Sequence, residues 1–387
     1  MSPDAFLVAS LSARGLARAA TRAGRQVVGL DAYADQDSRA LASHWGRVPL
    51  ASPWRFDPGA LEQAARTLCP PERCLGLVYG SGFEADPAAL ARLARGRALW
   101  GNDPGVLLHC ADPGRFFPLL DELGIPHPPT RLTPPPRRSG WLAKRAGACG
   151  GLHVSRATDV PAAEAAAAPH YYQRQVPGPV CSLLFLADGR DVLPIGFNQA
   201  LPAPPEAPSP WAYAGAVRLA GCPAGRGEAV AAAARALTRA LGLRGLNGLD
   251  FIPGQRGWKL LELNPRPTAS VELWDVAPMP PLFDLHLEAC RGRLPGHLER
   301  PAGGLASAVA YAGDGLRIPG DFRWPGWCAD QTIPGSRVSA GTPLCTVLAQ
   351  GNDSQAAACR AVDLRRDILH RLRPHPHPAS APREATP

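Results

Sequence analysis

Residues 260–267 read LLELNPRP, with Glu262, Asn264 and Arg266 at every second position of an otherwise apolar run. In a β-strand, side chains at i, i+2 and i+4 share a face. A carboxylate, an amide and a guanidinium therefore line up on one side, while Leu261 and Leu263 point to the other. One face reads as core and the other as a site. Just upstream, NGLDFIPGQRGW at 247–258 completes a hairpin: a strand to Ile252, a Pro253-Gly254 turn, and the return strand through Asn264. With an even register, whether Asp250 opposes Leu260 or Glu262, the Asp250 carboxylate joins Glu262 and Asn264. An odd register turns it away, because a slip of one residue flips every side chain. Two carboxylates and an amide oxygen are hard ligands suited to Mg2+, which keeps its remaining positions for water and phosphate oxygens. Lys259, on the opposite strand face from Glu262, reads as a surface or supporting residue.

A second pattern lies at 141–154, WLAKRAGACGGLHV. Of 41 basic residues only Lys144 and Lys259 are lysine, so Lys144 sits where arginine would serve as generic charge. Trp141 to Arg145 reads as a strand, and Gly147, Gly150 and Gly151 then free the backbone to turn tightly. Exposed backbone N–H groups can cradle phosphate there, and a compact ammonium can reach its oxygens. The G-x-x-x-x-G-K-[ST] order of a Walker loop is absent. Taken singly, a glycine-rich turn is most often a turn and a strand carboxylate a solvated one; together they describe one site. His153 after the loop suits either loop packing or phosphate contact.

The remaining chain bounds the function. At 387 residues, 45% hydrophobic and 19% charged, it has room for two or three domains with a substantial core. No run approaches the ~18–20 apolar residues of a membrane helix, and the first residues lack a signal peptide, which favours the cytoplasm. The 10 cysteines form no C-x-x-C pair, arguing against a zinc ribbon, a redox motif or a disulfide scaffold. The formal charge is +8, but the arginines are scattered without the basic, aromatic-interleaved stripe of a nucleic-acid binder. A mildly basic surface suits anionic small molecules.

Ala5–Ser10, Gln26–Asp31 and Leu75–Glu84 read as strands, alternating with helices at Ala13–Ala23 and Pro87–Arg95, a parallel sheet covered by helices through Asn102. SLSARG is not a dinucleotide fingerprint. A helix is expected over Pro113–Leu123, strands over Tyr171–Val176, Val180–Leu186 and Leu193–Asn198, and a helix over Glu228–Leu241. The end reads as β-rich, with strands at Ala306–Tyr311, Thr332–Arg337 and Leu344–Ala349, a last helix at Ala356–Leu372, and Trp324 and Trp327 as anchors. Ala162–Pro169 reads as a short exposed helix, and the tail from Arg373 as disordered.

In this order the elements resemble the ATP-grasp superfamily, particularly its carboligase branch related to biotin carboxylase and the purine-pathway carboxylases. Three segments carry the resemblance: the linker GNDPGVLLHCADPGRFFPLLDELGIPHPPT at 101–130, the lysine strand and glycine loop, and GLDFI with LLELNPRP. The implied fold is mixed α/β and α+β: an N-terminal α/β pre-ATP-grasp domain over 1–102, the ATP-grasp domain over 103–296, a small β-rich C-terminal lobe over 297–372 and a tail over 373–387. The resemblance implies that Asp250, Glu262 and Asn264 bind Mg2+ (or Mn2+). It implies that Lys144, Arg115 and the loop with Gly147, Gly150 and Gly151 contact ATP phosphates. Gln173 and the backbone at Gln175 and Val176, in YYQRQVPG, would hold adenine, and Arg266 would meet an acyl phosphate or phosphate.

The chain also departs from that pattern. Arg115 and Gln173 stand where the family usually has lysine and glutamate, and Val180 replaces a glutamate. PTASVEL at 267–273 lacks the glutamate–histidine pair of biotin carboxylase, with Glu272 displaced, and no AMKM biotinylation sequence occurs. The activity implied is an ATP-dependent, ADP-forming ligation of a small-molecule carboxylate to an amine, extending to glutamate ligation in pterin or furan one-carbon cofactor synthesis. The rivals are a carboxyphosphate-forming carboxylase, a nucleotide-binding module without catalysis, and, more distantly, a dehydrogenase on the first domain. Neither nucleic acid nor membrane is an expected partner, and homo-oligomer formation is left open. Substrate choice is expected from the N-terminal domain and the loop at Pro202–Trp211.

Overall fold

The computed structural model describes residues 4–161, 170–255 and 257–373. The helix expected at Ala162–Pro169 and the tail after Arg373 lie outside the described residues.

The runs Ala5–Ala9 (β1) and Val27–Asp31 (β2) are buried at every position, because both faces of their sheet are covered. With His44–Arg47 (β3), Cys74–Tyr79 (β4) and Leu99–Trp100 (β5) they form a parallel sheet of order β3-β2-β1-β4-β5. Around it lie α1 (Arg14–Arg22), α2 (Gln36–Arg39), α3 (Pro58–Leu68) and α4 (Pro87–Leu93). Helices α3 and α4 each start at a proline behind an aspartate, Asp57 or Asp86, whose carboxylate accepts a backbone N–H three residues on. The carboxyl ends of β1, β2 and β4 gather at one edge, tied by hydrogen bonds from Leu11 N to Ser81 O and from Ala32 N to Leu11 O. In parallel sheets this edge is where ligands bind.

Two helices follow, the unexpected α5 (Pro104–Ala111) and α6 (Pro113–Glu122). Asn102, buried before them, donates to Asn247 Oδ1 at 2.8 Å and Pro265 O at 2.9 Å and accepts from Arg244 N at 2.7 Å. One side chain thus fastens the linker to both strands of the hairpin.

Thr130–Arg131 (β6), Trp141–Arg145 (β7), Val154–Arg156 (β8) and His170–Arg174 (β9) make an antiparallel sheet of order β8-β7-β9-β6. A second antiparallel sheet has eight strands. They are β10 (Cys181–Asp188), β11 (Val192–Ala200), β12 (Gly215–Arg218), β13 (Arg244–Gly254), β14 (Gly257–Asn264), β15 (Gly304–Tyr311), β16 (Cys328–Ala329) and β17 (Pro343–Gly351), in the order β14-β13-β10-β11-β12-β15-β17-β16. The C-terminal strands join the hairpin's own sheet, with Val217 of β12 paired to Ala306 of β15. Helix α7 (Gly227–Leu241) packs on β10 and β11 and ends at Gly242 with φ +66°. Helices α8 (Val271–Trp274) and α9 (Leu282–Cys290) pack against α1, and α10 (Ser354–Leu372) covers β15 and β17. The strand expected at Thr332–Arg337 does not form: Pro334 and Gly335, the latter at φ +86°, break it, and only Arg337–Val338 pairs, with Leu316–Arg317. None of the described helices is long and apolar enough to cross a membrane.

Candidate active site

Strands β13 and β14 pair with Asp250 directly opposite Glu262 and Gly248 opposite Asn264, an even register that gathers both carboxylates and the amide on one face. The pairing then shifts. Phe251 opposes Leu260, so Leu261 is an extra residue in a β-bulge. Strict alternation puts Leu261 in the core and Lys259 across the strand from Glu262; the bulge corrects both. Trp258, Leu260 and Leu263 all enter one core, Leu261 lines the cleft, and Lys259, paired with Ile252, falls on the Glu262 side. The hairpin also closes later than the Pro-Gly pair suggests. Pro253 is still paired, with Trp258, and the last pair is Gly254 with Gly257.

Asp250 is pushed well up by burial and then by Glu262, with which it shares a hydrogen bond. Burial also pushes Glu262 up, but Lys144 and His153 outweigh it and hold Glu262 below the usual range. Asn264 bridges them: its Nδ2 donates to Asp250 at 3.3 Å and Glu262 at 3.4 Å, while its oxygen accepts from Arg266 Nη2 at 3.1 Å. Two facing carboxylates bridged by an amide N–H fit a divalent cation, which would take over the bridging role. For Asn264 to offer its oxygen as well, the amide must turn end for end, exchanging donor for acceptor. No three His, Cys, Asp or Glu side chains converge to hold a metal among the described residues, so the set is two carboxylates and an amide.

Lys144 lies buried behind this face on β7, where its ammonium donates to Gln173 Oε1 at 2.8 Å. Burial lowers its pKa, and Glu262 and Asp250 oppose that shift. Gln173, buried on β9, also donates to Thr130 Oγ1 at 3.3 Å, so its amide steadies the lysine. Gly147, Gly150 and Gly151 have φ of +71°, +71° and +77°. A Cβ on Gly151 would fall 1.7 Å from the Trp211 carbonyl oxygen, and one on Gly147 2.9 Å from that of Glu84. The Gly150 carbonyl accepts from Tyr213 N at 3.0 Å. The loop is thus held between the parallel-sheet edge and residues 211–213. His153 lines the cleft with its Nδ1 buried and unpartnered among the described residues, and burial lowers its pKa.

Arg266, buried, crosses to the N-terminal domain. Its Nε donates to Glu84, Nη2 to Asn264 Oδ1 and Nη1 to Pro267 O at 3.3 Å. Glu84 in turn accepts from Gly82 N at 2.8 Å and Phe83 N at 3.0 Å. Of the five guanidinium N–H protons, three are engaged and two remain for an anion. Glu84 is a site residue that the sequence reading passed over; its signal is its place just beyond the carboxyl end of a parallel strand.

Glu84, Gly147, Cys149, His153, Glu262 and Asn264 line one open cleft, with Phe116, Phe117 and Tyr171 on its apolar wall. Other expected residues lie apart. Arg115, on the first turn of α6, is exposed and pairs with Asp112 at 3.2 Å. Gln175 is exposed, with its N–H donated to Gly140 O at 3.0 Å, and Val176 follows it outside the strand.

The family model for the ATP-grasp domain matches residues 110–270. Among solved structures, biotin carboxylase of Campylobacter jejuni, complexed with an ATP analogue, superimposes with a TM-score of 0.68 at 13% identity, over 95% of this chain and 94% of that one. N5-carboxyaminoimidazole synthase of Aspergillus clavatus, bound to ADP and 5-aminoimidazole ribonucleotide, gives 0.66 at 16% identity over 95% and 99%. The biotin carboxylase domain of Hydrogenobacter thermophilus 2-oxoglutarate carboxylase, with MgADP, ADP and bicarbonate, gives 0.67 at 12% identity over 94% and 89%. No curated protein matches the sequence. At such identities the likeness shows the fold, and the fold is ATP-grasp.

Proposed function

With an ATP-grasp domain at residues 110–270, we propose that the chain is a cytoplasmic, ATP- and Mg2+-dependent, ADP-forming ligase that activates a carboxylate and joins it to an amine. The observation that carries this reading is the pairing of Asp250 with Glu262 beside Lys144 and the glycine loop. A module that only held a nucleotide would have little need for two carboxylates paired beside a buried lysine.

A carboxylate at neutral pH is a poor electrophile, and phosphorylation gives it a leaving group. Asp250, Glu262 and, after its amide turns, Asn264 would hold Mg2+, which supplies charge neutralisation on the phosphates when bound. Lys144 would add a positive charge at the back of the site, and free backbone N–H groups of the glycine loop at 147–151 would meet the phosphates. Closure of the loop over the phosphates would exclude water, whose attack would waste the activated group. The two free N–H protons of Arg266 orient the carboxylate or its acyl phosphate, with Glu84 fixing the guanidinium plane. Adenine holding by the Gln173–Val176 segment and phosphate contact by Arg115 complete the proposal; Arg115 would have to leave Asp112 to take part.

The narrower form of this reading is glutamate ligation to an amine-bearing precursor of a pterin or furan one-carbon cofactor. Label transfer tests the general form: with an 18O-carboxylate substrate, one labelled oxygen should appear in the released phosphate alongside ADP. Turnover supported by bicarbonate alone would favour carboxyphosphate chemistry instead, and AMP as the nucleotide product would overturn the proposal.

A further inference from the structure

The pairing of Glu262 with Asp250 continues beyond the hairpin. Directly opposed residues of an antiparallel sheet lie on the same face. Asp250 opposes Ser182 of β10, Ser182 opposes Asn198 of β11, and Asn198 opposes Arg218 of β12. Glu262, Asp250, Ser182, Asn198 and Arg218 thus form one polar row across five strands. The neighbouring row on that face reads Asn264, Gly248, Leu184 and Gly196.

Gly196 makes room for an indole. A Cβ there would fall 2.0 Å from Cζ2 of Trp274, the last residue of α8, which is itself buried. The Arg218 guanidinium stands over the same ring at 6.0 Å from its centroid, and its nitrogens donate to the carbonyl oxygens of Leu273, Ala302 and Gly303. Trp274 is therefore fixed from two sides, and its single N–H sets the direction of every hydrogen bond that follows. Its Nε1 donates to Asn198 Oδ1 at 2.8 Å. An indole nitrogen can only donate, so the fully buried Asn198 meets it with oxygen and turns its amide nitrogen the other way. There Nδ2 donates to Ser182 Oγ at 3.2 Å.

Ser182 is thus an acceptor on its Asn198 side. A hydroxyl that has accepted still carries its own proton, and Ser182 Oγ donates to no acceptor among the described residues. Its other cross-strand neighbour is Asp250. Asp250 accepts from Asn264 Nδ2 at 3.3 Å, the same N–H that is withdrawn when Asn264 turns its oxygen towards a cation. A carboxylate that then binds metal through one oxygen needs a donor for the other, and groups that supply one set the orientation of the ligand.

We propose that Ser182, oriented by Trp274 through Asn198, is a positioning residue for the cation site: its hydroxyl donates to Asp250 when Asn264 turns, and holds that carboxylate towards the metal. This role rests on the ligase reading for the cation between Asp250 and Glu262; the order of donors from Trp274 to Ser182 is independent of it.

Titration of Mn2+ into the full chain with saturating ADP, the free ion being read by electron paramagnetic resonance, tests the role without turnover. Ser182→Ala should weaken Mn2+ binding at least about tenfold, the usual weight of a group that orients a metal ligand. Ser182→Thr, which keeps the hydroxyl, should stay within about threefold of the native chain, the lower end of one hydrogen bond. Melting temperature does not decide, because Ser182→Ala strips Asn198 of a partner whether or not Ser182 serves the metal. Undiminished Mn2+ affinity in a folded Ser182→Ala, or a Ser182→Thr as weak as Ser182→Ala, would overturn the positioning role. Glu262→Gln separates the two levels. If it loses Mn2+ while Ser182→Ala does not, only the role of Ser182 fails; if it binds Mn2+ as the native chain does, or the native chain binds none, the cation site and the ligase reading fall together.

Discussion

Arg266 just after the β13–β14 hairpin and Glu84 at the edge of the N-terminal sheet form a buried ion pair across 182 residues of sequence. The residue proposed to orient the substrate anion is thereby set by the domain proposed to choose the substrate. Removing one partner of a buried pair leaves the other uncompensated. Glu84→Gln is therefore expected to lower stability by about 3 kcal/mol, read as a fall in Tm, and to lower kcat more than it raises KM for ATP.

The three loop glycines should differ in what they tolerate. A Cβ at Gly151 meets the Trp211 carbonyl at 1.7 Å, whereas at Gly150 it meets nothing within 4 Å and only the φ of +71° opposes it. Gly150→Ala should cost about 1 kcal/mol of local strain and raise KM for ATP a few-fold. Gly151→Ala must displace backbone, and its KM should rise by more than about tenfold. Steady-state kinetics of the two variants side by side decide this; equal effects would show that the loop does not hold its closed position during turnover.

Lys144 is buried against its own desolvation, and among the described residues its ammonium is hydrogen-bonded only to Gln173. Such a lysine is expected to earn its place through phosphate. Lys144→Gln should weaken ATP binding by roughly 10- to 100-fold, the range of one or two charge-assisted contacts, while leaving the far-ultraviolet circular dichroism unchanged.

How much of this was legible follows from the kind of signal each feature leaves. The period of two in LLELNPRP and the Asp250 spacing disclose the face shared by Asp250, Glu262 and Asn264, because alternation is local. The bulge at Leu261 is a single added residue with no compositional mark, so alternation alone gives Leu261 and Lys259 the wrong facing. Helix α5 escapes the sequence because VLLHCA is too short to show a helical period. Glu84 with Arg266, and Ser182 with Asn198 and Trp274, assemble only when distant segments meet. No window of sequence contains them.

His286 gives a pH prediction remote from the cleft. Its Nδ1 accepts from Leu246 N at 2.9 Å, and its Nε2–H donates to Trp100 O at 3.1 Å, the neutral form that fits both partners. Burial lowers its pKa to about 4 from the ordinary 6.5. The unfolded chain then binds the extra proton between those values, so the contribution is fully present above pH 6.5 and is lost as pH falls towards 4, by about 3 kcal/mol in all. Melting temperatures across this window should fall more steeply for the native chain than for His286→Gln; parallel curves would refute the assignment.

The most direct test of the central claim is nucleotide turnover by the purified protein with Mg2+, a panel of carboxylates and amines, and ADP and AMP resolved separately, alongside Glu262→Gln. The account predicts ADP formation that requires both a carboxylate and an amine and is abolished by Glu262→Gln. Formation of AMP, or ADP formation that survives Glu262→Gln, would contradict it.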